Sequence, residues 1–263
     1  MALSELTERA IIKYRHLESS KAMIYDNPAA RLKAILDAGL NADKNQQCFI
    51  IWCNIFNISP NDLGEMFCRI GKVMELPREI ISLLKIHYPH QVESSTLWRS
   101  QIESAFLNQQ IGGKWESFIN QISQHCTVPL GLIADILQTK LNFELTPDEK
   151  IADLIDKINT LIAEIEKSEL ENNLKIYLIR ELSALLQMLR EYKITGNGPV
   201  LKQVDAMIIH ARRNENYLAF LKDHEIGQRV LDNLNAIAAT LTIYLGIPQL
   251  SQTTSTLLSL LPN

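Results

Sequence analysis

Apolar side chains recur at three- and four-residue spacing along nearly all of this 263-residue chain, interrupted by only ten glycines and nine prolines. A half-buried strand alternates every second residue, so this period argues against a sheet and predicts helices throughout. The expected fold is all-α: a multi-helix array followed by a long antiparallel helical hairpin and C-terminal helices.

Helix starts are marked by side chains that cap free backbone N–H groups. Asn27-Pro28 and Ser59-Pro60 each place a capping residue before a proline, whose missing N–H is harmless at a first helical position. Thr146-Pro147-Asp148-Glu149 adds the glutamate of a reciprocal capping box. The pattern predicts helices over residues 4–24, 28–38, 43–56, 60–74, 77–86, 96–110, 113–124, 128–141, 147–166, 169–194, 199–212 and 215–245, with a short one at 252–261. Elements before residue 143 are mostly short, and those after 146 are longer and more amphipathic. The chain is therefore divided into an N-terminal array, 1–143, and a C-terminal bundle, 144–263, with the hairpin at 147–194.

The hairpin follows from the phase of two stripes. Ile151, Leu154, Ile155, Ile158, Leu161, Ile162 and Ile165 form one, and Leu170, Leu174, Leu178, Leu182, Leu185 and Leu189 carry the other. In one straight helix their centres would lie about 180° apart at roughly 100° per residue. A break near Lys167-Ser168-Glu169 lets them face each other. Charge agrees: residues 144–171 hold nine acids and three bases, and residues 172–229 hold nine bases and six acids.

Past Asp232 no charged side chain occurs as far as Asn263, although Leu234, Ile237, Leu241 and Leu245 continue a helical stripe. A solvent-facing helix carries charge, so this end, 233–263, is expected to be covered. Its longest apolar run, 236–247, is too short for the roughly 20 residues of a spanning helix. The opening residues lack a basic cluster followed by an apolar run, which predicts no secretory signal and a cytoplasmic location. Cys48, Cys53, Cys68 and Cys126 contain no CxxC pair and are expected as reduced thiols.

Motifs for chemistry are sparse. Gly112-Gly113-Lys114 lacks the glycine spacing and the hydroxyl of a phosphate loop, and the preceding strand it would need is not expected. His87, His90, His125 and Cys126 match no zinc spacing, so neither a metal nor a cofactor is expected. Arg212 and Arg213 with His210 or His224 would suit a helical nuclease only if the fold brings them to one cleft. The basic set Arg180, Arg190, Lys193, Lys202, Arg212, Arg213, Lys222 and Arg229, with Tyr192 and Tyr217, is broken by acids, and a net charge of −4 argues further against nucleic acid. Trp52, Trp98 and Trp115 sit among apolar neighbours and are expected in the core.

The function expected from these features is non-enzymatic, with no catalytic residues. The chain would self-associate or bind a protein partner through Leu170, Leu174, Leu178, Leu185, Leu189, Leu234, Ile237, Leu241 and Leu245. Two alternatives are a bacterial toxin or defence effector that perturbs membranes through the uncharged C-terminus, and a helical nuclease.

Overall fold

A computed structural model describes residues 25–245. The helices expected at 4–24 and 252–261 lie outside the described residues, as does the uncharged C-terminal segment beyond Leu245. Within them the chain is all-α, and its only extended pairings are two isolated bridges, Tyr25 with Glu144 and Gln47 with Lys114.

The first half contains α1 (Pro28–Leu40), α2 (Cys48–Phe56), α3 (Leu63–His87), α4 (Gln91–Ser94), α5 (Thr96–Asn108), α6 (Glu116–Ile119) and α7 (Gln124–Leu141). The α1 cap forms as expected: Asn27 Oδ1 accepts from the Ala30 amide at 3.0 Å. Ser59 does not cap a helix. Its hydroxyl closes a local turn, and Asp62 caps α3 instead by accepting from the Glu65 amide at 3.0 Å. The two helices expected at 60–74 and 77–86 are one, with Pro77 inside it. A proline there costs about 3 kcal/mol. Met66, Ile70, Val73, Leu76, Ile80 and Leu84 nevertheless share one buried stripe through it, and that burial exceeds the penalty.

These elements enclose one cluster of buried apolar residues that includes all three tryptophans. Trp52 lies at its centre, with Phe56, Phe106, Trp115 and Phe118 at ring separations of 5.0 to 5.9 Å. A buried indole favours a hydrogen-bond acceptor, and two of the three find one, whereas Trp98 Nε1 has none. Trp52 donates to Gln109 Oε1 at 3.0 Å, and Trp115 donates to the Gly39 carbonyl at 2.8 Å. Gly39 permits that approach, because a Cβ there would stand 2.8 Å from the Trp115 ring.

The second half contains α8 (Asp148–Lys167), α9 (Asn172–Arg190), α10 (Tyr192–Thr195), α11 (Asn197–Arg213), α12 (Glu215–Asp223) and α13 (Glu225–Leu245). The chain turns between Lys167 and Asn172, where Lys175 Nζ caps the end of α8 by donating to the Ser168 carbonyl at 2.6 Å. α8 and α9 then pack on each other and, with α11 to α13, enclose a second apolar cluster. The single helix expected over 215–245 is broken at His224. Gly227 explains the fold-back: any Cβ there would run into the Phe220 carbonyl and stand 2.7 Å from Leu221 Cα, so only glycine lets α13 start against the backbone of α12.

Between the clusters lies a polar seam. Asp26 pairs with Arg31 and also accepts from the Asn197 amide at 3.2 Å. Gly196, at φ +71°, leaves the room this needs, since a Cβ would fall 2.7 Å from Asp26 Oδ1 and 2.9 Å from Arg31 Cζ. Glu191, buried at the end of α9, takes Lys72 from α3 and the Gln187 side chain, and Gln187 also donates to Glu65 at 2.8 Å. Thr146 does not form the expected capping box. Its amide donates instead to Tyr192 Oη at 2.6 Å, and its hydroxyl has no partner. Ile194, from the second half, belongs to the first cluster.

Candidate functional site

The residues expected at an interface are mostly spent inside the chain. Leu178, Leu185, Leu189, Leu234, Ile237 and Leu241 are at most 1% exposed, all within the second cluster. Leu170 and Leu174 are half-buried against it, and the Leu245 side chain lies outside the described residues. The stripes of α8, α9 and α13 face one another, so the area that would favour association already stabilises the fold.

No ion pair or hydrogen bond among the described residues joins the members of the nuclease grouping. His210 stacks on Tyr177 at 4.7 Å and meets Tyr217 at 5.7 Å, while His224 stacks on Phe220 at 5.1 Å and accepts from the Ile226 amide through Nδ1 at 3.1 Å. Arg212 and Arg213 are exposed, and among the described residues neither makes an ion pair or side-chain hydrogen bond. Tyr192 and Tyr217, the aromatic members of the basic set, are buried and offer no stacking face. Among the described residues no three His, Cys, Asp or Glu side chains converge as metal ligands. Lys114 follows Gly113 in a connection bridged to Gln47 and is no phosphate cradle. The thiols of Cys48 and Cys126 are pushed up to about 11 and about 12 by burial, which keeps them protonated and inert.

One concavity among the described residues is a feature the sequence did not point to. A groove of about 820 Å³ runs between the two clusters, with α1 and α2 on one side and α8 and the end of α9 on the other. Ala34 and Ala38 on α1 and Ala152 on α8 are exposed, and their small side chains leave the groove open. Ile35, Ile55, Phe56, Ile151 and Ile155 supply apolar wall.

The rim is charged, and most of its charges are already engaged. Arg69 binds Glu65 at 2.6 Å and the Phe56 carbonyl at 2.7 Å, Lys193 binds Asp148 at 2.6 Å, and Asp62 caps α3. Arg190 is exposed and, among the described residues, has no ion-pair partner. At the seam end, Arg31 is buried with its Nε unpartnered and also lines a neighbouring cavity of about 440 Å³ beside Tyr25 and Thr146. The groove thus combines a strip of apolar wall with a charged rim, on which Arg190 has no ion-pair partner among the described residues and Asp62 is engaged only as a helix cap.

No protein-family model, curated protein or solved structure matches this chain. No helix among the described residues is long and apolar enough to cross a membrane.

Proposed function

We propose that this chain is a non-enzymatic interaction module that receives an amphipathic helix of a protein partner in the groove between α1 and α8. The observation that carries the reading is the groove itself: an open trough with apolar wall from Ile35, Ile55, Phe56, Ile151 and Ile155, kept clear by Ala34, Ala38 and Ala152, with Arg190 on its rim unpaired among the described residues. Helix-in-groove recognition uses such a trough to bury residues at i, i+3, i+4 and i+7 of the ligand helix. The unpaired arginine selects a ligand with carboxylates beside its apolar stripe, because electrostatic complementarity sets partner choice and register. A second copy of this chain is the poorer occupant: its own acidic amphipathic helix, α8, already spends its apolar face on the second cluster. Four thiols free of disulfides support an action in a reducing compartment such as the cytoplasm.

The test uses the full chain and fluorescein-labelled, leucine-striped peptides of roughly 18 residues, about five helical turns, flanked by Glu or by Lys. The Glu-flanked peptide should bind more tightly by fluorescence anisotropy. Ala38→Trp, at an exposed position, should fill the trough and abolish binding while thermal unfolding stays unchanged. Equal binding of both peptides, or binding that survives Ala38→Trp, overturns the reading.

A further inference from the structure

The helix that the sequence predicts over residues 4–24 is joined to α1 by only Tyr25, Asp26 and Asn27. Helices linked by about 2–5 residues commonly lie antiparallel, side by side. The link itself is anchored: Tyr25 bridges Glu144, and the Asp26 amide donates to the Phe143 carbonyl at 3.0 Å.

A trench starts at this anchor. The cavity of about 440 Å³ is lined by Tyr25, Ala30 and Ala34, and the groove carries on from it along Ala34 and Ala38, the two sharing Arg31, Asp148 and Lys193. Ala30, Ala34 and Ala38 recur every fourth residue on one face of α1, the first half-buried and the others exposed. Small side chains there let a second helix approach closely.

The preceding segment has a stripe to match. Leu3, Leu6, Ala10, Tyr14 and Leu17 fall on one side of a helix, with Ile24 near its end. In an antiparallel hairpin that turns at Asp26, Tyr14 comes level with Ala38 and Leu17 with Ile35 of the groove wall. Lys21 interrupts the stripe, and it comes level with the start of the trench. Arg31 is already paired with Asp26 there, and Glu144, on the cavity wall, has no ion-pair partner among the described residues.

We infer that residues 4–24 fold back along α1 as a resident helix in the groove, so that a partner helix must displace them to bind. The displacement rests on the docking reading above, whereas the residence does not. Residues 246–263 are the poorer occupant. They follow Tyr244, whose carbonyl accepts from the Glu144 amide at 2.7 Å, but they carry no charge for Glu144 and extend α13 rather than α1.

The experiment uses the full chain carrying Cys68→Ser, which removes the exposed thiol. Under copper-phenanthroline, Tyr14→Cys with Ala38→Cys should close a disulfide, read by intact mass, at least about tenfold faster than Arg15→Cys with Ala38→Cys, because a tethered but undocked segment would close both alike. Leu17→Gln should release the segment and tighten binding of the Glu-flanked peptide about tenfold. Equal closure of the two pairs overturns the inference, and if the peptide then binds the parent and Leu17→Gln alike, the docking reading still stands. Preferential closure of the Tyr14→Cys pair with no peptide bound by either chain supports the inference and removes the docking reading. Faster closure of Ala38→Cys with Leu258→Cys than with Tyr14→Cys gives the groove to the C-terminal segment and overturns the inference.

Discussion

Replacing Asp26 with alanine removes the carboxylate that ties the two halves of the chain together. One of its oxygens takes Arg31 and the other accepts from the Asn197 amide, and the Arg31 and Asp26 side chains are 8% and 2% exposed. Stranding one partner of a buried ion pair costs about 3–5 kcal/mol, and leaving the Asn197 amide unpaired adds about 1 kcal/mol. Glu79, half exposed and 3.7 Å from Arg31, offsets part of this through its charge. The expected loss is therefore about 3–4 kcal/mol, a large share of the roughly 5–15 kcal/mol that stabilises a typical domain. Arg31→Met in the same chain should recover about 2 kcal/mol or more, because removing both partners leaves no buried charge stranded. Urea unfolding followed by two signals makes the measurement. Tryptophan fluorescence reports only the first cluster, where all three indoles lie, whereas far-ultraviolet circular dichroism reports every helix. The two transitions should coincide in the parent chain and separate in Asp26→Ala. A loss below about 1 kcal/mol, or a double variant that costs the sum of its singles, would refute the reasoning.

Alkaline pH should unfold the second half. Burial first, and Asp26 nearby second, push the Tyr192 phenol up to about 12, and burial raises Tyr217 and Tyr177 as well. These groups hold their protons in the folded chain after the unfolded chain has lost them. Their contribution is thus complete below about pH 10 and is lost as pH rises; for Tyr192 the loss runs towards pH 12 at about 1.4 kcal/mol per pH unit. Thermal midpoints and near-ultraviolet tyrosinate absorbance check this, and ionisation of all seven tyrosines before helicity falls would count against it. Thiol labelling tests the first cluster: with Ellman's reagent the native chain should react at Cys68 alone, and Cys48, Cys53 and Cys126 only in denaturant. A second thiol reacting natively at the rate of the first contradicts that packing.

Which faces are buried was readable in the sequence, but what buries them was not. The stripe Leu178, Leu182, Leu185 and Leu189 announces a covered face, and periodicity is silent on whether the cover is a partner or the next helix of the same chain. The Asn27 cap was legible because its geometry is local. Pro77 misled because a local penalty of about 3 kcal/mol was outweighed by a stripe that runs through it, which only the tertiary arrangement makes decisive. The groove left no local signal. Ala34, Ala38 and Ala152 read as ordinary wet-face residues until α1 and α8 face each other across it. The Asp26 contact to Asn197 spans 171 residues and belongs to no motif.

The loop after α7 gives the polar seam a consequence for the order of events on the ribosome. Phe143 accepts from the Asp26 amide at 3.0 Å as soon as the first half has emerged, whereas the next amide, that of Glu144, donates at 2.7 Å to the carbonyl of Tyr244, near the end of α13. The intervening stretch of about 100 residues takes on the order of 5–20 s to synthesise. For about the first half of that interval the nascent first half holds most of its core but lacks Ile194, the Glu191 partner of Lys72 and the Asn197 partner of Asp26. It is a fold waiting for its own clasp. The segments that complete it, residues 191–197, are made in one short burst, so the first half is sealed before the second has finished growing.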